Sequence, residues 1–244
     1  MAEAIRRVAM WSGPRNISTA MMRSWGSRAD TFVHDEPFYA HYLTRTHHTH
    51  PGEGEVVAVH ENDWRKIVEQ ITGPVPDGST VYYQKHMTHH MLAHIPLDWM
   101  QELTNCFLIR DPREVIVSLA KKLPTDPQPD QTGIPRQLEM FEYVCDMTGS
   151  IPPVIEAKDV LTDPRRTLTK LCEAIDVPFD EAMLQWEPGR RATDGVWAKY
   201  WYASVEQSTG FKPYQPNTGA VPVHLQTVVD ECEALYQQLA VHRL

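Results

Sequence analysis

Cysteine is scarce and scattered: Cys106, Cys145, Cys172 and Cys232 are the only four in 244 residues, and none forms a C-x-x-C pair. They sit mostly in apolar runs, where a reduced thiol packs as a small hydrophobe, so a reducing cytoplasm is the expected compartment. No uninterrupted apolar stretch approaches the roughly 18 residues that span a bilayer, and the amino end, Met1 to Arg7, is short and charged. Secretion and membrane insertion are therefore not expected. Positive charge is also in deficit, with 23 Lys and Arg against 32 Asp and Glu, a formal net charge of −9. The average surface repels nucleic acid and anionic membrane, so any anionic ligand must find a local cluster of cations. There is no G-x-x-x-x-G-K-[ST] loop, no H-E-x-x-H pair and no internal repeat. Magnesium-dependent nucleotide hydrolysis and zinc hydrolysis lose their usual support.

At 42% hydrophobic and 23% charged, the chain is long enough for one α/β domain over 1–244. Short apolar runs at Ile5–Trp11, Thr31–His34, Val81–Gln84, Asn105–Ile109 and Val154–Ala157 read as strands. They alternate with helix-period segments, which predicts a mostly parallel sheet of about five strands flanked by helices in three layers. Ile17, Ala20, Met21, Ser24 and Trp25 mark one buried face of a first helix. Asp111-Pro112 and Asp163-Pro164 announce two more, each Asp accepting orphan N–H groups and each Pro needing none. A last helix is predicted from Leu225 to Leu239. His41–Gly54 and Leu123–Arg136 read as loops, candidates for lids or acceptor-binding segments.

Gly13-Pro14-Arg15-Asn16-Ile17-Ser18-Thr19 joins the first strand to the first helix. Such a junction aims unpaired N–H groups and the positive helix end at one point, where a phosphate fits. Ser18 and Thr19 add hydroxyl donors, and Arg15 adds a fixed cation. Taken alone, the segment reads equally as a tight turn followed by a helix start. A second candidate grip lies after the fourth strand: Arg110, then the Asp111 cap, then Ser118 about two helical turns on and on the same face.

The two segments together resemble the P-loop-like sulfotransferase family, which pairs a phosphosulfate loop after the first strand with an Arg and a downstream Ser for the donor's 3′-phosphate. In that family the loop reads Pro-[Lys/Arg]-Ser-Gly-[Ser/Thr]-[Ser/Thr]; Asn16 and Ile17 depart from it. Lys158-Asp159-Val160 before Asp163-Pro164 is similar to the family's "EDL…DP" signature, and Ser208-Thr209-Gly210-Phe211-Lys212 to its late donor-covering loop. The chain also resembles a sulfotransferase-like branch in which some plant members carry aminotransferase-like names. No lysine here stands in a context that identifies a pyridoxal phosphate site.

The resemblance implies 3′-phosphoadenosine-5′-phosphosulfate (PAPS) as co-substrate, adenosine 3′,5′-bisphosphate as product, and a small-molecule hydroxyl or amine as acceptor. No metal, nucleic acid or membrane is expected, and homodimer formation is left open. Arg15 is expected to stabilise charge on the departing phosphate. Two bases compete: His86, similar to the histidine of the family's Lys-Thr-His segment and slightly favoured, and Glu36, similar to the glutamate of carbohydrate-sulfating members. Lys85 is expected to assist the leaving phosphate. His86, His89, His90 and His94, with His47, His48 and His50, give a metal reading that lacks a carboxylate-completed ligand set. Among Trp186, Trp197, Tyr200, Trp201, Tyr202, Phe211 and Tyr214, one is expected to stack on adenine or line the acceptor pocket; Trp197 and Trp201, four apart, read as a core face. The rival readings are a P-loop kinase or nucleotide-binding protein and a non-catalytic anion-binding module.

Overall fold

The computed structural model describes residues 5–46, 50–123, 125–216 and 220–244; His47 and His48 lie outside them. Five strands, β1 (Arg6–Ser12), β2 (Thr31–Asp35), β3 (Val81–Met87), β4 (Thr104–Ile109) and β5 (Val154–Glu156), form one sheet in the order β2-β3-β1-β4-β5. Every pairing is parallel. The middle of the sheet is buried on both sides because helices cover both faces, every residue of β3 included. On one face Val8, Met10, Val81, Tyr83, Cys106 and Leu108 pack under α1 (Ser18–Trp25) and α2 (Tyr39–Arg45). On the other, Ala9, Trp11, Phe107 and Ile109 pack against α3 (Ile134–Thr148) and α4 (Gln226–Ala240).

Parallel strands put every loop that follows a strand on the same edge, and ligands of such sheets bind at that carboxyl edge. Register sets the neighbours there: Asp35 pairs with Lys85, Met10 with Lys85 and Trp11 with His86. The predicted caps form, Asp111 accepting from the Arg113 N–H at 2.8 Å and Asp163 from the Arg166 N–H at 3.0 Å.

Three expectations need correction. α1 is buried on more than one face from Met21 to Trp25, Arg23 included, because its guanidinium is held by the buried carboxylate of Asp194 at 2.5 and 2.7 Å. The segment expected as a loop from His41 begins inside α2, which buries Tyr39, Tyr42 and Leu43, and Glu53–Val59 is a further helix. The proline-rich stretch likewise ends in helix, since Pro129 and Pro135 occupy first-turn positions where a missing N–H costs nothing.

Candidate functional site

A cavity of about 640 Å³ opens at the carboxyl edge. Its floor comes from the loop after β1, since Pro14 through Ala20 all line it. Gly13 sits just before, where a Cβ would lie 2.3 Å from the Thr132 carbonyl oxygen, so no side chain fits. Asn16 ties the loop to the sheet by donating to the Leu108 carbonyl at 3.0 Å and accepting from the Ile17 N–H at 2.8 Å. Ile17 has φ −91°, a conformation open to any residue, and its side chain packs against the core. The backbone at this point therefore needs no glycine. No side chain caps α1, which leaves its first-turn N–H groups for a ligand.

The two predicted phosphate grips form one continuous surface. Arg15 and Arg110 both line the cavity. Arg15 Nε donates to Ser118 Oγ at 3.0 Å, and Arg110 donates to the Arg15 carbonyl at 2.8 Å. Arg110 is also paired with Glu114, whose other oxygen accepts from the Tyr214 hydroxyl at 2.8 Å. Burial, and after it the neighbouring Arg110 charge, lowers the pKa of Arg15. Lys122, which sequence reasoning passed over, adds a third cation to the wall.

Across the cavity stand Glu36 and Lys85. Lys85 is fully enclosed, donating to Asp35 Oδ1 at 3.0 Å, to the Tyr202 hydroxyl at 2.7 Å and to Glu36 Oε1. The Tyr202 hydroxyl in turn donates to Asp35 at 2.8 Å, and the Gly195 N–H donates to its second oxygen at 3.0 Å. Burial pushes the Glu36 carboxyl up, with Lys85 opposing and Asp35 adding to the rise. Burial lowers Lys85, but Asp35 and Glu36 together outweigh it and hold the ammonium above its usual value. Asp35 was not foreseen, and Tyr202 was expected only as one of the late aromatics, not as a partner of Lys85. Tyr202 lies 117 residues from Lys85, and no local pattern links them.

His86 is placed elsewhere. Its side chain is 1% exposed, stacked on Trp11 at 4.1 Å beside Phe38, and its Nε2 meets Gln84 Oε1 at 3.1 Å. Successive strand residues face opposite ways, so Lys85 and Met87 line the cavity and His86 does not. Burial drives the His86 imidazole well below its ordinary pKa. Phe211 and Lys212 are also outside the cavity lining; Phe211 packs edge-on against Trp186 at 5.1 Å. Of the late aromatics, Trp201 and Tyr202 reach the wall, while Trp197 is buried in the core. A further stretch of the wall is aromatic and imidazole, formed by Tyr39, Tyr42, His50, His89 and His90. Among the described residues, no group of three or more His, Cys, Asp or Glu side chains is placed to hold a metal ion, and no helix is long and apolar enough to cross a membrane.

Comparison with known proteins places the chain in a family. A family model described as a sulfotransferase domain matches residues 6–238. An Arabidopsis thaliana protein named branched-chain-amino-acid aminotransferase-like protein 2 is 34% identical over 234 residues, which are 95% of this chain and 41% of that protein. The chain thus spans about two fifths of that relative's length. Among solved structures, a sulfotransferase from Alicyclobacillus acidocaldarius superposes with TM-score 0.55 at 12% identity, over 99% of this chain and 97% of its own. The sulfotransferase domain from the curacin biosynthetic pathway gives 0.52 at 17% identity, over 95% and 98%. These two likenesses are of fold. With the family model covering nearly its whole length, the chain belongs to the sulfotransferase domain family.

Proposed function

We propose that this chain moves a sulfuryl group from PAPS to an acceptor hydroxyl or amine. One observation carries the reading: Arg15 and Arg110 line the same cavity as the carboxylate of Glu36, all at the carboxyl edge of the sheet. The donor supplies the sulfuryl group and a phosphate leaving group. The uncapped start of α1, with Ser18 and Thr19, offers N–H and hydroxyl donors to that phosphate, and Arg15 stabilises the charge that grows on it. Arginine stays ionised, so its help is electrostatic. Arg110 and Lys122 give the cationic surface suited to the second, 3′-phosphate group, while Ser118, outside the lining, accepts from Arg15.

Glu36 is the base in this reading. It lines the cavity, whereas His86 is enclosed behind the strand against Trp11. Lys85 is bound up with Asp35, Glu36 and Tyr202, so it holds the Glu36 carboxylate in place.

Calorimetry with adenosine 3′,5′-bisphosphate, run without magnesium, tests the donor site. Saturable binding to the wild type and a loss of about tenfold or more in Arg15→Ala are expected. No binding, or ATP bound more tightly and only with magnesium, overturns the reading. A radiolabelled-donor screen of alcohols, phenols, amines and sugars then names the acceptor.

A further inference from the structure

His90 is 2% exposed and lines the cavity, yet nothing above gives it a task. Its ring stacks on Tyr39, 4.9 Å away at 8°, and on Tyr42, 4.7 Å away at 29°, so its orientation is fixed by packing. Its Nδ1 is buried and has no hydrogen-bond partner. Buried polar atoms are nearly always satisfied, so an orphan on a residue that lines a cavity, with a carboxylate oxygen of the same cavity nearby, marks a place for a ligand atom. Glu36 Oε2 stands 4.0 Å from that nitrogen, too far for a direct hydrogen bond. The other oxygen, Oε1, is already taken by Lys85.

Two polar atoms 4.0 Å apart can share one oxygen. An oxygen about 2.8 Å from each would see them at an angle of about 90°, which a hydroxyl accommodates while donating one bond and accepting another. Beside a carboxylate oxygen the favoured tautomer carries its proton on Nδ1, because two facing lone pairs repel.

We propose that Glu36 Oε2 and His90 Nδ1 together seat the acceptor's reacting atom, and that this atom is a hydroxyl oxygen and not an amine nitrogen. The inference rests on the sulfuryl-transfer reading. A hydroxyl oxygen has two lone pairs: one accepts from His90 Nδ1–H and the other attacks sulfur, while its proton points to Glu36. A neutral amine has one lone pair and would spend it on the imidazole. In the transfer, the acceptor's O–H proton passes to Glu36 Oε2 as the O–S bond forms. The bond from sulfur to the bridging phosphate oxygen breaks, and its electron pair stays on that oxygen beside Arg15. The products are a sulfate ester, adenosine 3′,5′-bisphosphate and protonated Glu36.

A crystal structure with adenosine 3′,5′-bisphosphate, soaked in methanol as the probe, reads this out without a known acceptor. An oxygen within hydrogen-bond distance of both Glu36 Oε2 and His90 Nδ1 is expected in the wild type. It should be lost in His90→Phe, which keeps a ring beside Tyr39 and Tyr42, and recovered in part in His90→Asn, which restores a side-chain N–H. With any alcohol the donor screen yields, His90→Phe should lower kcat about tenfold or more while bisphosphate affinity holds. Absence of the shared oxygen in the wild type, an unchanged kcat in His90→Phe, or amines turned over faster than matched alcohols would each overturn the inference. Failure to bind the bisphosphate at all sinks the donor reading instead, so the two failures are told apart.

Discussion

Arg15 and Glu36 adopt left-handed backbone, with φ 57° and 43°, a conformation that among the described non-glycine residues is shared only by Asp176. Such backbone costs a side-chain-bearing residue about 1–3 kcal/mol and persists only where its surroundings hold it. They do: Arg110 grips the Arg15 carbonyl, the Glu36 N–H donates to the Lys85 carbonyl at 2.9 Å, and the Tyr39 N–H donates to the Glu36 carbonyl at 3.0 Å. The two side chains proposed for leaving group and base are thus presented by the two turns that most strain the chain near the cavity. A base must be ionised to work, and burial raises the Glu36 pKa above its usual 4.5. Turnover should therefore climb with pH through that raised value and then level off. Glu36→Gln should lose about 100-fold or more together with the acid limb, with bisphosphate affinity retained; pH–rate profiles and calorimetry measure both. Arg15, Glu36, Lys85 and Arg110 were legible because each lies at or just after the carboxyl end of a recognisable strand. The orientation of His86 was not. All seven residues of β3 are buried, so no polar–apolar alternation shows which of them face the cavity.

The elements themselves were read from short apolar runs, helical spacing and Asp-Pro starts, and all three survive because they are local. What failed was long-range. The segment from His41 to Gly54 is rich in His and Thr and looks like a loop, yet its first residues lie in α2, where burying Tyr39, Tyr42 and Leu43 holds the chain helical, as tertiary packing does for most short helices. Arg23 looks like an exposed helix residue until Asp194, 171 positions away, is folded against it. The loop between β1 and α1 depends on a contact of the same kind. Gly13 lies under the Thr132 carbonyl, just before α3, whose Gln137 donates to the carbonyls of Trp11 and Leu108 at 2.9 and 3.1 Å. Gly13→Ala should push these two segments apart, costing about 1–3 kcal/mol of stability. Bisphosphate binding should weaken with it. Thermal unfolding and calorimetry on the one variant read out both, and unchanged values in each would show that the loop yields freely.

Over the whole molecule, several imidazoles are buried in neutral form. Burial holds His86 and His90 well below their ordinary pKa of 6.5 and lowers His34 to about 4. Unfolded, the same groups take up protons as the pH falls through about 6.5. Their contribution to stability is therefore complete above that pH and is lost as acid favours the unfolded chain. Glu36 runs the other way, its contribution fading as pH rises through its raised value. With His41 and His60 lowered in the same way, five histidines against the raised Glu36 carboxyl predict a melting temperature that falls steadily from pH 7 to pH 5, with a shallower fall in His86→Gln; a flat profile in differential scanning calorimetry contradicts this. The sheet was visible in the sequence because five hydrophobic runs suffice to announce it. The charge network across the cavity was not, since Asp35, Lys85, Gly195 and Tyr202 meet only once the chain is closed. Parity along β3 decides the fate of two adjacent residues: Lys85 lives among carboxylates and His86 in a dry aromatic niche. A slip of β3 by one position would trade their lodgings, facing the imidazole toward substrate and stranding an ammonium against Trp11 with no counter-ion. Such a misregistered chain would be penalised while folding, long before any reaction could reveal the error.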